Sequence, residues 1–116
     1  MTKLPTYEIF VGESLPDLGL FVRANGQLVT GLASGHTFEL KIASMDGDLL
    51  VTKTTGITGQ SGTGFPPLGT PNVVIAWSDE LAELTAGSFL AQLKITRTSD
   101  SKVRILQWLI RARAAL

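Results

Sequence analysis

A chain of 116 residues has room for one domain and little more, and with 44% hydrophobic and 17% charged residues it is not built like a disordered protein. Ten basic side chains balance ten acidic ones, so there is no basic excess to draw it onto nucleic acid, and weak self-repulsion leaves close assembly open. The absence of cysteine excludes a disulfide framework and a thiolate zinc site.

At the start of the chain, Pro5 and Glu8 interrupt what a secretory leader would need as an apolar run, so synthesis and retention inside a cell are expected. Tyr7 to Val11 has the aromatic and β-branched content of a first strand. Leu18 to Arg23 alternates, with Leu20 and Val22 on one side and Phe21 on the other. Asn25-Gly26 then supplies a hairpin turn, and Gln27 to Thr30 returns from it. Between Thr37 and Ser44 the period of two is clear: Phe38, Leu40 and Ile42 against Thr37, Glu39 and Lys41. Asp46-Gly47 turns the chain, and Leu49 to Lys53 pairs back.

Composition changes between Thr54 and Pro71, where five of the twelve glycines and three of the five prolines lie. The segment 54–71 reads as a long flexible loop with room for a short strand around Ile57. Asn72 to Trp77 follows as a strand with Val73, Ile75 and Trp77 on one face. The run Val73 to Trp77 is the longest purely apolar stretch and is far too short to span a bilayer. Ser78 can cap a short helical turn whose first residues, Asp79 and Glu80, suit the positive end of the helix dipole, with Leu81 and Leu84 tucked inward. Phe89 to Arg97 alternates again, with Phe89, Ala91, Leu93 and Ile95 inward.

The last segment admits two readings. Leu106, Trp108 and Ile110 form one apolar face of a strand, and Val103, Ile105 and Leu109 populate the other; the helix-forming residues among them also fit a C-terminal helix. The strand is favoured, followed by a tail at 112–116. The sum is a single all-β domain over residues 1–116, an antiparallel sandwich of about seven strands with one short helical turn.

Tests for chemistry return little. Gly59 and Gly64 have Walker-loop spacing, but Phe65 and Pro66 stand where Lys and Ser or Thr are needed. Gly62 and Gly64 lack the third glycine of a dinucleotide loop, since Pro67 occupies it. His36 is the only histidine and has no nucleophile motif beside it. Asp46 and Asp48 are explained by their turn, and Asp79, Glu80 and Glu83 by a helix start. No catalytic, cofactor or metal residue is therefore assigned, and no small-molecule substrate or enzyme activity is expected. What remains is a surface: Leu106, Trp108 and Ile110 as apolar anchors, Arg111 and Arg113 as a polar rim, and Phe65 and Leu68 from the long loop.

The run Ser78-Asp79-Glu80-Leu81-Ala82-Glu83-Leu84-Thr85-Ala86-Gly87-Ser88-Phe89 carries a family pattern. With Leu18 to Val22, Val29-Thr30-Gly31-Leu32-Ala33 and Thr37 to Ile42 before it, the chain resembles the immunoglobulin-like domain of tailed-phage virion proteins, such as the N-terminal domain of upper baseplate proteins. The resemblance covers roughly residues 12–111 and departs from the family at Phe89, where a tyrosine is usual. It implies an immunoglobulin-like sandwich serving as a structural protein in a tail, baseplate, neck or capsid-associated position. Its partners would be other phage structural proteins and further copies of itself, assembled in the bacterial cytoplasm and ending in the virion, with neither nucleic acid nor membrane bound. The alternative is a carbohydrate- or host-surface-binding module.

Overall fold

The computed structural model describes residues 4–11, 17–24, 27–29, 31–59, 71–78 and 80–114. In chain order the strands are β1 (Thr6–Phe10), β2 (Leu18–Leu20), β3 (Arg23–Ala24), β4 (Gln27–Leu28), β5 (His36–Ser44), β6 (Leu49–Lys53), β7 (Ile57–Gly59), β8 (Val73–Ile75), β9 (Gly87–Arg97) and β10 (Val103–Arg113). One 3-10 turn, Glu80–Glu83, lies between β8 and β9. A five-stranded sheet has the order β1-β10-β9-β5-β6 and a three-stranded sheet the order β2-β8-β7; β3 and β4 form a separate ribbon. The protein is all-β with a sandwich-like arrangement.

Alternation in the sequence becomes the core directly. Leu40 and Ile42 of β5, with Ala91 and Leu93 of β9, are fully buried, and Phe89 and Ile95 continue the same face. Trp108, Ile110 and Ala112 of β10 extend it, while Val73 and Ile75 of β8 meet it from the smaller sheet. Burying each such aliphatic side chain stabilises the fold by about 1.5–3 kcal/mol. Leu81 of the 3-10 turn and Leu84 just after it are both 1% exposed, so the turn closes one end of the core as its spacing suggests.

The Asp46-Gly47 turn forms as expected. Ser44 N–H donates to Asp48 O and Gly47 N–H to Ser44 O, both over 2.9 Å, and Gly47 takes the positive φ of 95° that the turn requires. A bulge follows in β6, where the register steps from Ile42↔Val51 to Ala43↔Leu49. The Ala24↔Gln27 pair brackets the expected hairpin, although Asn25 and Gly26 themselves lie outside the described residues.

Three expectations change. The described strands number ten rather than about seven, because the expected strand from Leu18 to Arg23 is divided into β2 and β3 and short pieces such as β4 and β7 stand as strands of their own. The large sheet is mixed, because β1 runs parallel to β10 from Thr6↔Leu109 to Phe10↔Arg113; no local turn signals a pairing between opposite ends of the chain. That same pairing draws Ala112 and Arg113 out of the expected tail and into β10, which settles the last segment as strand. Within the expected loop 54–71, Ile57–Gly59 is strand and residues 60–70 lie outside the described residues.

Two polar side chains are buried with the core. Asn72, at 0% exposure, uses its amide as a strand would use a peptide group: Oδ1 accepts from Val22 N–H (2.7 Å), and Nδ2 donates to Val22 O (2.8 Å) and Val29 O (2.9 Å). Its own N–H donates to Leu20 O, so one residue ties the end of β2, the segment after β4 and the start of β8. Lys53, 3% exposed at its side chain, meets Glu80 at 2.7 Å and pins β6 to the 3-10 turn. Burial alone would raise the Glu80 carboxyl, but the bond from Lys53, the N–H of Ser78 and the lysine charge together hold it below its ordinary range.

Candidate functional site

The surface strip expected on the last strand is split by the strand's own geometry. Trp108 (4% exposed) and Ile110 (0%) belong to the domain's core, so they are not contact anchors. Leu106 is half-buried, and with Trp108, Tyr7, Leu18, Leu20 and Phe21 it lines an apolar groove of about 470 Å³ between β2 and β10. Arg111 and Arg113 are exposed, the latter paired with Glu8 at 3.2 Å. Phe65 and Leu68 lie outside the described residues. The error has a simple cause: with both faces of β10 apolar, parity alone does not say which is inside, and pairing with β9 decides it.

The face that points outward holds the apolar excess. Val103 (48% exposed) and Ile105 (54%) stand on it from β10, Phe10 (52%) from β1 and Leu49 (57%) from β6. The registers Leu109↔Leu90, Leu90↔Ala43 and Ala43↔Leu49 align four apolar residues in one row across β10, β9, β5 and β6. Leu109 and Leu90 alternate with buried neighbours, Ala43 follows buried Ile42, and Leu49 beyond the bulge is itself exposed, so the row lies on the solvent side. Charged residues of both signs flank it: Glu8, Glu39, Lys41, Lys94, Arg111 and Arg113. An apolar centre with a polar border is the composition of a contact surface.

A second concavity, about 710 Å³, opens where β6 leaves the large sheet, with His36, Thr37, Phe38, Glu39, Ile57 and Lys94 among its walls. Here His36 Nδ1 donates to Ser34 O (2.7 Å), which explains the ring as a loop fastening. Gly59 is required at its margin, because a Cβ there would run into the backbone carbonyl of Leu32 and the ring of Phe38. Of the three acids at the helical turn, Asp79 lies outside the described residues, and Glu80 is committed to Lys53 and to the Ser78 N–H. Asp48 is likewise part of its turn, its N–H donating to Ser44 Oγ (3.1 Å).

Among the described residues no group of three or more His, Asp or Glu side chains is placed to hold a metal ion, and no helix is long and apolar enough to cross a membrane. Leu90, Ala43 and Leu49 carry no signal of their own in the sequence, because a row across four strands is defined only by the register. No protein-family model, no curated protein and no solved structure matches the chain.

Proposed function

We propose that the protein is an immunoglobulin-like structural subunit of a tailed-phage particle, acting through contacts with neighbouring virion proteins and with copies of itself. Strand order supports the immunoglobulin-like part. With β1, β2, β5, β6, β7, β8, β9 and β10 taken as A, B, C, C′, D, E, F and G, the sheets read A-G-F-C-C′ and B-E-D. This is the variable-type arrangement with its first strand moved to the G edge. The 3-10 turn then falls at the E–F corner, where the family pattern has its short helical stretch.

The observation that carries the assembly role is the outer face of the large sheet, where Leu49 is exposed within the apolar row and Phe10, Val103 and Ile105 are exposed outside it. A surface of this kind favours a protein whose work is contact. A glycan-binding role would favour exposed tryptophan or tyrosine platforms, whereas Trp77 and Trp108 are 8% and 4% exposed and Tyr7 is half-buried. The gene neighbourhood tests the proposal. Flanking capsid or tail genes, and the chain's presence in purified particles, are the expected result; a neighbourhood without virion genes refutes it.

A further inference from the structure

We infer that the first half of β5 is a docking edge, to which an extended segment of another polypeptide adds as one more strand, with an apolar residue turned inward and a basic residue opposite Glu39. The β5–β9 register runs unbroken from His36↔Arg97 to Ser44↔Phe89, whereas β6 reaches only as far as Leu40↔Lys53. Beyond Lys53 the chain leaves the large sheet: Gly56 turns it at a φ of 71°, and the Gly56 carbonyl accepts from the N–H of Ala76 beside β8. Among the described residues, 36–39 therefore have a strand neighbour on one side only.

Two hydrogen bonds fix which backbone groups this leaves over. The Gly35 carbonyl accepts from Thr98 N–H on the β9 side, and Ser44 N–H donates to Asp48 O on the β6 side. Backbone groups alternate sides from residue to residue along an antiparallel strand. His36 and Phe38 share the direction of Ser44, so both aim their N–H and C=O at the open edge, where no described residue bonds them. A row of unpaired donors and acceptors on a sheet edge is a template for another strand, and main-chain hydrogen bonds hold a strand added in this way.

Size and charge describe the entrant. With a rise of about 3.4 Å, strands about 4.8 Å apart and sheets about 10 Å apart, one residue of packed strand takes roughly 160 Å³. The concavity of about 710 Å³ beside this edge thus holds roughly four residues, matching the open stretch of β5. Because β6 stands one strand further out next to the opening, the long edge of a second sheet would strike it first, whereas a loop or terminus fits. Entrant side chains beside His36 and Phe38 turn inward towards Phe38 and Ile57, and those beside Thr37 and Glu39 turn outward. A base opposite Glu39 meets it directly but stands two strands, roughly 10 Å, from Lys94, where salt screens the repulsion; an acid there faces Glu39 itself. The inference goes beyond the assembly proposal by naming a kind of partner, yet it is read by peptide binding and amide exchange rather than by gene neighbourhood, so either can fail alone.

Hydrogen exchange and peptide selection on the full chain test it together. In the free chain the His36 and Phe38 amides exchange at least about tenfold faster than those of Leu40 and Ile42, which β6 covers. The binding probe is a library of random peptides of about seven residues, displayed in several copies per particle so that weak binding is captured. Enriched peptides alternate apolar and polar residues and carry Lys or Arg at an outward position. A synthetic copy slows exchange at His36 and Phe38 by roughly tenfold or more, and loses roughly tenfold or more in affinity for Ala33→Trp, which fills the recess from an exposed position. Glu39→Gln keeps the binding but loses the preference for a base. Protection retained at Leu40 and Ile42 shows that each variant is folded. Free-chain amides of His36 and Phe38 as slow as that of Leu40, a library without enriched peptides, or binding that leaves those amides or the Ala33→Trp variant unaffected overturns the inference. A preference for a base that is absent, or that survives Glu39→Gln, overturns the role of Glu39.

Discussion

Replacing Asn72 with alanine removes the three hydrogen bonds by which its amide holds Val22 and Val29. Val22 O keeps the Val29 N–H at 2.9 Å, but the Val22 N–H loses its acceptor in a site with no exposure. An orphaned buried donor costs about 1–3 kcal/mol, and the lost bonds and small cavity bring the total to about 3 kcal/mol. Unfolding entropy for a domain of this length makes that a fall of about 12 °C in midpoint temperature. Thermal and urea unfolding followed by tryptophan fluorescence measure it. Asn72→Asp keeps the shape but points a carboxylate at two carbonyls; burial and those carbonyls raise its folded pKa above the unfolded value of about 3.9. This variant is therefore most stable at acid pH, below that unfolded value, and loses stability as pH rises from it through the raised folded one. A loss below about 1 kcal/mol for Asn72→Ala, or a pH-independent Asn72→Asp, would show that Asn72 merely fills space.

The Lys53–Glu80 pair predicts an acid limb. Because the Glu80 carboxyl is held below its ordinary range, its contribution is present above the unfolded pKa and disappears as pH falls through the folded one; unfolding measured from neutral to acid pH is steeper in the native chain than in Glu80→Gln. Lys53→Met costs towards the lower end of about 3–5 kcal/mol in urea unfolding, since Glu80 keeps some access to water, and a second Glu80→Gln change recovers part of it. On β10, Trp108→Ala costs about 3–5 kcal/mol while Ile105→Ala, on the solvent face, costs under about 0.5 kcal/mol in the same assay; equal costs contradict the register. Gly59→Ala forces the chain away from Leu32 and lowers stability by on the order of 3 kcal/mol, whereas Gly31→Ala meets no neighbour and pays only for its positive φ, about 1–2 kcal/mol.

What the sequence made legible was everything local. The inward sets Phe38-Leu40-Ile42 and Phe89-Ala91-Leu93-Ile95, the Asp46-Gly47 turn and the Leu81–Leu84 tuck all follow from periods and turn chemistry that act over a few residues. What stayed hidden was relational. The parallel β1–β10 ladder, the row across four strands and the amide of Asn72 reaching Val22 depend on segments far apart in the chain, and no spacing encodes them. The contact strip shows the boundary between the two. Its residues were recognised as apolar, but the division of β10 into a core face and a solvent face is set by its neighbour β9. Buried Lys53 was invisible for the same reason, since only the approach of Glu80 makes a lysine tolerable there.

The parallel ladder between β1 and β10 also determines how the domain resists force. Thr6 lies beside Leu109 and Phe10 beside Arg113, so the two strands leave their shared ladder in opposite directions. Tension applied between residues 4 and 114 pulls the strands past one another along their length, and every hydrogen bond of the ladder is strained at once. A hairpin pulled at its open end parts one bond at a time, like a zip. Here the bonds yield together or not at all, and the ends of the chain become the part of the domain that gives way last under small loads and all at once under large ones.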